Sequence, residues 1–186
     1  MKITLIRHGM TLGNLEKRYI GRTDETLCPE GIAKLEKMKI EKSEILISSP
    51  MKRCIETAEI LFPRQSFEIC DNMRESDFGD FERKTSEELS SDKRYQEWID
   101  SNGKMKFPNG ELPSDFRNRC CLAFEQITEK YSYAKSIAFV VHGGTIMAIM
   151  AKYSEPHQDY YNWMTGNASG WVCDFDGHAL TNPVKI

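Results

Sequence analysis

The sequence predicts an α/β fold, with a mostly parallel central sheet flanked by helices. Strand-like apolar runs at residues 2–7, 44–48, 66–70, 136–141 and 171–175 alternate with stretches of helical period. Two of these runs share one design. Ile3-Thr4-Leu5-Ile6 stops at Arg7-His8-Gly9, and Ile137-Ala138-Phe139-Val140-Val141 stops at His142-Gly143-Gly144. Two buried strands that each deliver a histidine at the carboxyl end predict one pocket at that edge of the sheet, where open α/β sheets bind their ligands.

The helical stretches follow in order. Residues 29–40 open on Pro29, favoured in a first turn, and carry Ile32, Leu35, Met38 and Ile40 near helical period. Residues 50–62 start with Ser49-Pro50 as cap and first-turn proline and turn Ile55, Ala58, Ile60 and Leu61 inward; Pro63 stops them. One or two helices are expected over 85–101, ending near Asn102-Gly103, and another over 114–131 with Phe116, Cys120, Phe124 and Ile127 on one face. A short helix follows His142 over 144–153, and Asp176-Gly177 predicts a terminal hairpin. No linker or repeat divides the 186 residues, so one domain is expected. The polar, turn-rich stretch 101–110 belongs to an excursion, about residues 80–112, at the mouth of the pocket.

The 25 lysines and arginines against 28 acidic residues leave a formal net charge of −3, which argues against general nucleic-acid binding. An anionic ligand must then meet a local cluster of cations. No apolar run approaches the ~20 residues of a membrane span, and the chain opens on a strand rather than a signal sequence. The six cysteines form no CxxC pair, which fits reduced thiols in a cytoplasmic protein.

Five residues carry the expected chemistry. His8 lies between Arg7, whose planar fork suits a phosphate or carboxylate, and Gly9, which gives a ligand room to approach. A neutral imidazole beside fixed positive charge is poised to attack a phosphoryl group. Arg53 falls in the first turn of a helix, where it opposes the helix dipole and so suggests an anionic ligand. His142 precedes two glycines whose N–H groups can reach an oxyanion. Glu75 follows the third strand; next to a phosphate its pKa should rise, keeping it a proton donor. Asp77, Asp80 and Glu82 are alternatives that spacing leaves open. His157 and His178 are expected at the surface, and no histidine pair has the helical spacing of a metal site. Tyr160, Tyr161, Trp163 and Trp171 are expected to pack, some of them bordering the pocket.

In register, these motifs resemble the histidine phosphatase, or phosphoglycerate-mutase-like, superfamily. The matches are Arg7-His8-Gly9 with Thr11 and Asn14, Gly21-Arg22-Thr23-Asp24 with Leu27 and Gly31, Ser49-Pro50 with Arg53, Thr57 and Ala58, Arg74-Glu75 with Phe78 and Gly79, and His142-Gly143-Gly144. The resemblance implies a three-layer sandwich and a metal-free reaction with no cofactor. His8 would become phosphohistidine; Arg7, Arg53 and His142 would hold the phosphoryl oxygens; Glu75 would protonate the leaving alkoxide and then activate water. Asn14 and the Gly21 backbone would line the substrate mouth.

The partner implied is a small phosphomonoester. Compact size and Pro108-Asn109-Gly110-Glu111 followed by Asp115-Phe116 and Arg119 look most like the α-ribazole-phosphate phosphatases. A cofactor-dependent phosphoglycerate mutase and a catalytically silent phospho-ligand-binding protein are the alternatives. Met10, Cys28 and Arg83 depart from the family pattern, standing where glutamate, a capping threonine and glycine are usual, and Cys54 adjoins the phosphate-binding arginine.

Overall fold

The parallel strands of a computed structural model, which describes residues 1–186, are apolar on both sides because both of their faces are covered. In order, β1 (Lys2–Arg7), α1 (Leu12–Leu15), α2 (Pro29–Leu35), β2 (Ile45–Ser48), α3 (Lys52–Leu61) and β3 (Glu68–Ile69) build the first half. Then follow α4 (Lys93–Asp100), α5 (Pro113–Lys130), β4 (Ser136–Val141), α6 (Gly143–Tyr153), β5 (Ser169–Phe175) and β6 (Leu180–Lys185). The six strands form one sheet in the order β3-β2-β4-β1-β5-β6. Four are parallel, and β5 and β6 complete the sheet as an antiparallel hairpin.

Alternation along the strands divides the core. Ile3, Leu5, Ile137, Phe139 and Val141 face α5 and α6, packing with Phe124, Ile127, Ile146 and Ile149. Ile6, Leu46, Ala138 and Val140 face the other way, onto Cys54, Ala58 and Phe62 of the α3 side. The result is the three-layer α/β sandwich expected. The six cysteines are unpaired, and no helix is long and apolar enough to cross a membrane.

Register places the histidines. Arg7 pairs with Val141, so the next residue of each strand, His8 and His142, leave the sheet side by side. The N–H of His8 still donates to the Val141 carbonyl at 3.0 Å.

Several elements differ from expectation, each for a local reason. The helix over 29–40 ends at Leu35; Met38 turns back through an N–H bond to the Leu35 carbonyl, and Ile32 stays exposed. Over 85–101 only Lys93–Asp100 is helical. Upstream, Thr85 accepts from the Glu88 N–H and Ser90 donates to the Glu87 carbonyl, side-chain bonds that compete with a helix ladder. Asp92 then caps α4. The third strand pairs only over Glu68–Ile69. Ile55, Ile60 and Leu61 are half-buried, and the deep face of α3 is Arg53, Cys54, Thr57 and Ala58. The α3 helix begins at Lys52, two residues later than the proline predicted; the Ser49 hydroxyl meets His142 at 2.8 Å and accepts only a long bond, 3.5 Å, from the Met51 N–H.

The excursion folds as a cap. Phe81, Leu89, Tyr95 and Phe107 form a small core of their own, joined by Tyr19, Phe78 and Trp98. Arg83 takes a left-handed backbone there, with φ of 64°, which explains the glycine common at this position and leaves the arginine strained.

Cys28 stands at the N-cap of α2 in extended geometry but makes no side-chain cap bond. Cys28→Thr should therefore stabilise the protein by about 1 kcal/mol in urea titrations, through a new acceptor for the first-turn N–H groups. An unchanged or lower midpoint would show that the buried pocket of Cys28 rejects the hydroxyl.

Candidate active site

His8 is buried, and its ring nitrogens are distinguishable. Nδ1 lies 2.6 Å from the Gly9 carbonyl, which can only accept, so Nδ1 carries the proton and Nε2 keeps its lone pair. Burial, then Arg53 and Arg7, hold the His8 pKa well below that of free histidine, so the ring is neutral at physiological pH. The backbone beneath it is fastened on both sides. The Gly9 N–H donates to the Thr57 hydroxyl at 2.9 Å, and Thr57 donates in turn to the Arg53 carbonyl. Asn167 reaches the His8 carbonyl from the opposite side at 3.3 Å.

His142 meets His8 edge-on, with ring centroids 5.2 Å apart. Its Nε2 contacts the Ser49 hydroxyl at 2.8 Å, which leaves Nδ1 as the ring nitrogen without an oxygen partner. Burial followed by Arg53 and His8 holds its pKa far down as well. Cys54 sits 3.6 Å from Nε2, with burial pushing its thiol up to about 12, so it acts as an inert packing group.

Two guanidinium groups share this pocket. Arg53 is fully buried, and its terminal nitrogens donate to the Thr23 and Gly21 carbonyls at 2.9 Å each. Arg7 donates to the Thr165 carbonyl at 2.7 Å and packs against Gly143, where an added Cβ would lie 3.4 Å from its guanidinium carbon. The Nε of each arginine is buried with no partner in the protein. Burial lowers the Arg7 pKa, and Arg53 adds to the effect. Two uncompensated donors beside two neutral imidazoles form an anion receptor.

Glu75 is the carboxyl group the fold brings to them. Its Oε1 accepts from the Ser76 N–H at 2.9 Å and lies where a side chain at Gly144 would collide, at 2.8 Å. Burial raises its pKa, against the opposing pull of the Ser76 N–H, Arg53 and Arg7. The cause differs from the phosphate repulsion expected from sequence: the protein itself desolvates the acid. The three alternatives are engaged elsewhere. Asp77 pairs with Arg22 and Asp80 with Arg94. Glu82 fills a nest of donors from Gly21, Arg22, Thr23 and Phe78.

Asn14 and Gly21, expected at the substrate mouth, are both engaged within the protein. Asn14 Oδ1 accepts from Asn167 and from the Thr11 N–H in a capping box. Gly21 gives its N–H to Glu82 and its carbonyl to Arg53, and an added Cβ would strike the Ser76 carbonyl at 1.9 Å. Both hold the cluster, and neither lines the adjoining cavity.

That cavity, about 380 Å³, opens beside Arg7, Glu75 and Gly144. Its walls are aromatic: Tyr19, Phe78, Trp98, Phe107, Phe116 and Tyr160. Tyr160 and Tyr161 border it as expected, whereas Trp163 is core and Trp171 packs edge-on against it. A second cleft of about 390 Å³ reaches Glu75 from another side and is lined by polar residues alone, among them Arg22, Asn72, Asp77, Glu111 and Arg119. His157 and His178 are exposed, as expected. Sequence reasoning missed Thr165 and Asn167 because each acts through a backbone contact that only the return of the chain along β5 creates. Ser49 carried a signal, but one that also suits a helix cap.

The family model described as the histidine phosphatase superfamily (branch 1) matches residues 3–182. The chain belongs to this superfamily. It is 30% identical over 158 residues to PhoE, an uncharacterised phosphatase of Bacillus subtilis, covering 82% of this chain and 77% of that one. An α-ribazole phosphatase from Shigella flexneri has the same fold, with a TM-score of 0.84 at 21% identity over 99% and 96% of the two chains. A phosphoglycerate mutase from Thermus thermophilus superposes with a TM-score of 0.75 at 26% identity, over 100% and 99%.

The depressed imidazoles of this superfamily member make its stability pH-dependent. Below pH ~6.5 the unfolded chain protonates its histidines while the folded His8 and His142 resist, so the folded state loses stability as pH falls. In anion-free buffer, His8→Asn should make the stability slope between pH 7 and 5.5 shallower by up to about 1.4 kcal/mol per pH unit, read by urea unfolding. Parallel slopes for the two proteins would mean that His8 takes up a proton as freely as an exposed ring.

Proposed function

We propose that this protein hydrolyses phosphomonoesters of small metabolites through a phosphohistidine on His8, without a metal ion. The observation that carries this reading is the His8 tautomer: Nδ1 donates to Gly9, so the lone pair on Nε2 is free beside Arg7 and the buried Arg53. In the first step Nε2 forms a bond to phosphorus, and the bond from phosphorus to the alcohol oxygen breaks. Glu75, whose pKa burial raises, gives its proton to that oxygen. Arg7, Arg53 and His142 stabilise the charge on the phosphoryl oxygens. In the second step Glu75 takes a proton from water, the water oxygen bonds to phosphorus, and the bond to Nε2 breaks. The arginines supply the positive charge that Mg²⁺ supplies in other phosphoryl transfers.

The aromatic cavity beside Glu75 favours an alcohol that carries a flat, largely apolar group. The relatives named as α-ribazole phosphatases make α-ribazole phosphate, which contains such a ring, the candidate substrate. Hydrolysis is favoured over transfer between hydroxyls by the wholly polar cleft that reaches Glu75. A mutase must keep water from its phosphoenzyme for many turnovers. The silent binding protein is disfavoured because every group of the reaction is present.

Turnover of alkyl and aryl phosphates should persist in a strong chelator. Rapid quench with labelled substrate should trap acid-labile, base-stable label on the wild type and none on an inactive His8→Ala. Normal turnover by His8→Ala, or activity lost to chelator and restored by Mg²⁺ or Zn²⁺, would overturn the mechanism. Efficient conversion of 3-phosphoglycerate to 2-phosphoglycerate, primed by the bisphosphate and releasing little phosphate, would favour the mutase.

A further inference from the structure

Glu75 faces a problem that its own contacts do not solve. It sits on an irregular segment between a short turn at Asp71–Met73 and another at Gly79–Phe81. It borders both the aromatic cavity and the polar cleft. Its carboxyl group accepts from the Ser76 N–H, in the adjacent residue of the same segment, and from the Gly144 N–H at the start of α6, but neither bond holds the backbone that carries it. Where the carboxyl group stands between cavity and cleft therefore depends on what fixes the backbone of this segment.

One side chain spans the segment. Arg119, on α5, donates from one terminal nitrogen to the carbonyls of Asn72 and Arg74, each at 2.8 Å, and from the other to the carbonyl of Glu75 itself at 3.1 Å. Its remaining donors grip the Glu111 carboxylate in a two-point pair at 2.7 and 2.8 Å. Arg119 lies 5.0 Å over the ring of Phe116, which in turn abuts the Gly144 backbone beside Glu75. Glu111 completes the brace, since its N–H donates to the Asp77 carbonyl at 2.9 Å. The segment on both sides of Glu75 is therefore tied to one helix through one guanidinium. A planar fork of five donors suits this task, and an ammonium does not reproduce it.

We propose that Arg119, oriented by Glu111, is the positioning residue for the proton donor Glu75, fixing where its carboxyl group meets the leaving oxygen. The inference rests on the reading of Glu75 as the general acid. Arg119 does not touch the substrate; it acts through the backbone that carries Glu75.

A positioning role predicts selectivity that a structural role does not. A nitrophenolate leaves with little help, whereas an alkoxide needs a proton in the transition state. Arg119→Met, which keeps the stem and removes the fork, should lower kcat for an alkyl phosphate about 10- to 100-fold more than for nitrophenyl phosphate, with KM for nitrophenyl phosphate little changed. Arg119→Lys should fall between wild type and Arg119→Met, and it keeps the test open should the methionine variant fold poorly. In a Glu75→Gln background, either substitution should add no further leaving-group selectivity.

Equal losses on both substrates in folded Arg119→Met and Arg119→Lys, with Glu75→Gln selective, would overturn the positioning role while leaving the general acid intact. Equal losses from Glu75→Gln itself would instead overturn the reading of Glu75 on which the inference rests.

Discussion

The structure depends on two arginine charges, Arg53 fully buried and Arg7 half-buried, brought together beside the carboxyl edge of a parallel sheet. Arg7 and Arg53 are drawn out of water, repel each other, and each keep an Nε without a partner in the protein. Buried charge is costly unless it is paired. The surroundings offset that cost only in part, through the Gly21, Thr23 and Thr165 carbonyls. Burial, reinforced by the field of these charges, holds the pKa of both histidines well below that of free histidine and keeps the His8 ring neutral. An arriving phosphoryl group then meets donors and a lone pair already in place, with no reorganisation needed at the moment of reaction.

The rest of the fold holds these groups at the required depth. The pairing of β1 with β4 sets the two histidines side by side, and Thr57 ties the Gly9 N–H to the helix that carries Arg53. Glu82 fixes the loop whose carbonyls grip Arg53, by occupying its N–H groups with a carboxylate. Glycine recurs where backbone must come close. At Gly144 a side chain would displace Glu75, and at Gly21 it would collide with the Ser76 carbonyl. The aromatic cap supplies one wall of the adjoining cavity, and its strained Arg83 shows that this region tolerates a local cost.

Much of this was legible in the sequence. Arg7, His8, Arg53 and His142 could be singled out because each lies at a strand end or a helix start, positions that punctuation by glycine and proline makes visible, whereas Glu75 lies on an irregular segment. The alternation of strands and helices pointed to the layers, and the two histidine-ended runs to one edge of the sheet; the register itself came only with the pairing of β1 and β4. Other features depend on contacts between distant segments. Whether Ser49 caps a helix or meets His142 is decided by β4, nearly a hundred positions away in the chain. Asn14 matched a substrate-binding motif, yet its oxygen is taken by Asn167, whose place depends on the return of β5. Choosing Glu75 over Asp77, Asp80 and Glu82 required knowing which carboxylates already had partners. Helix ends at Leu35 and Lys93 eluded periodicity because local side-chain bonds and a tightened turn set them.

The central claim is that His8 rests neutral with its proton on Nδ1, and nitrogen-15 NMR of the histidine side chains tests it most directly. At neutral pH, without added anion, the His8 ring should show a protonated Nδ1 and an unprotonated Nε2. That signal should persist unchanged to well below pH 6.5, the ordinary pKa of a free histidine. A proton on Nε2, or a His8 imidazolium at neutral pH, would contradict the account, because the nitrogen that must attack phosphorus would have no lone pair to offer.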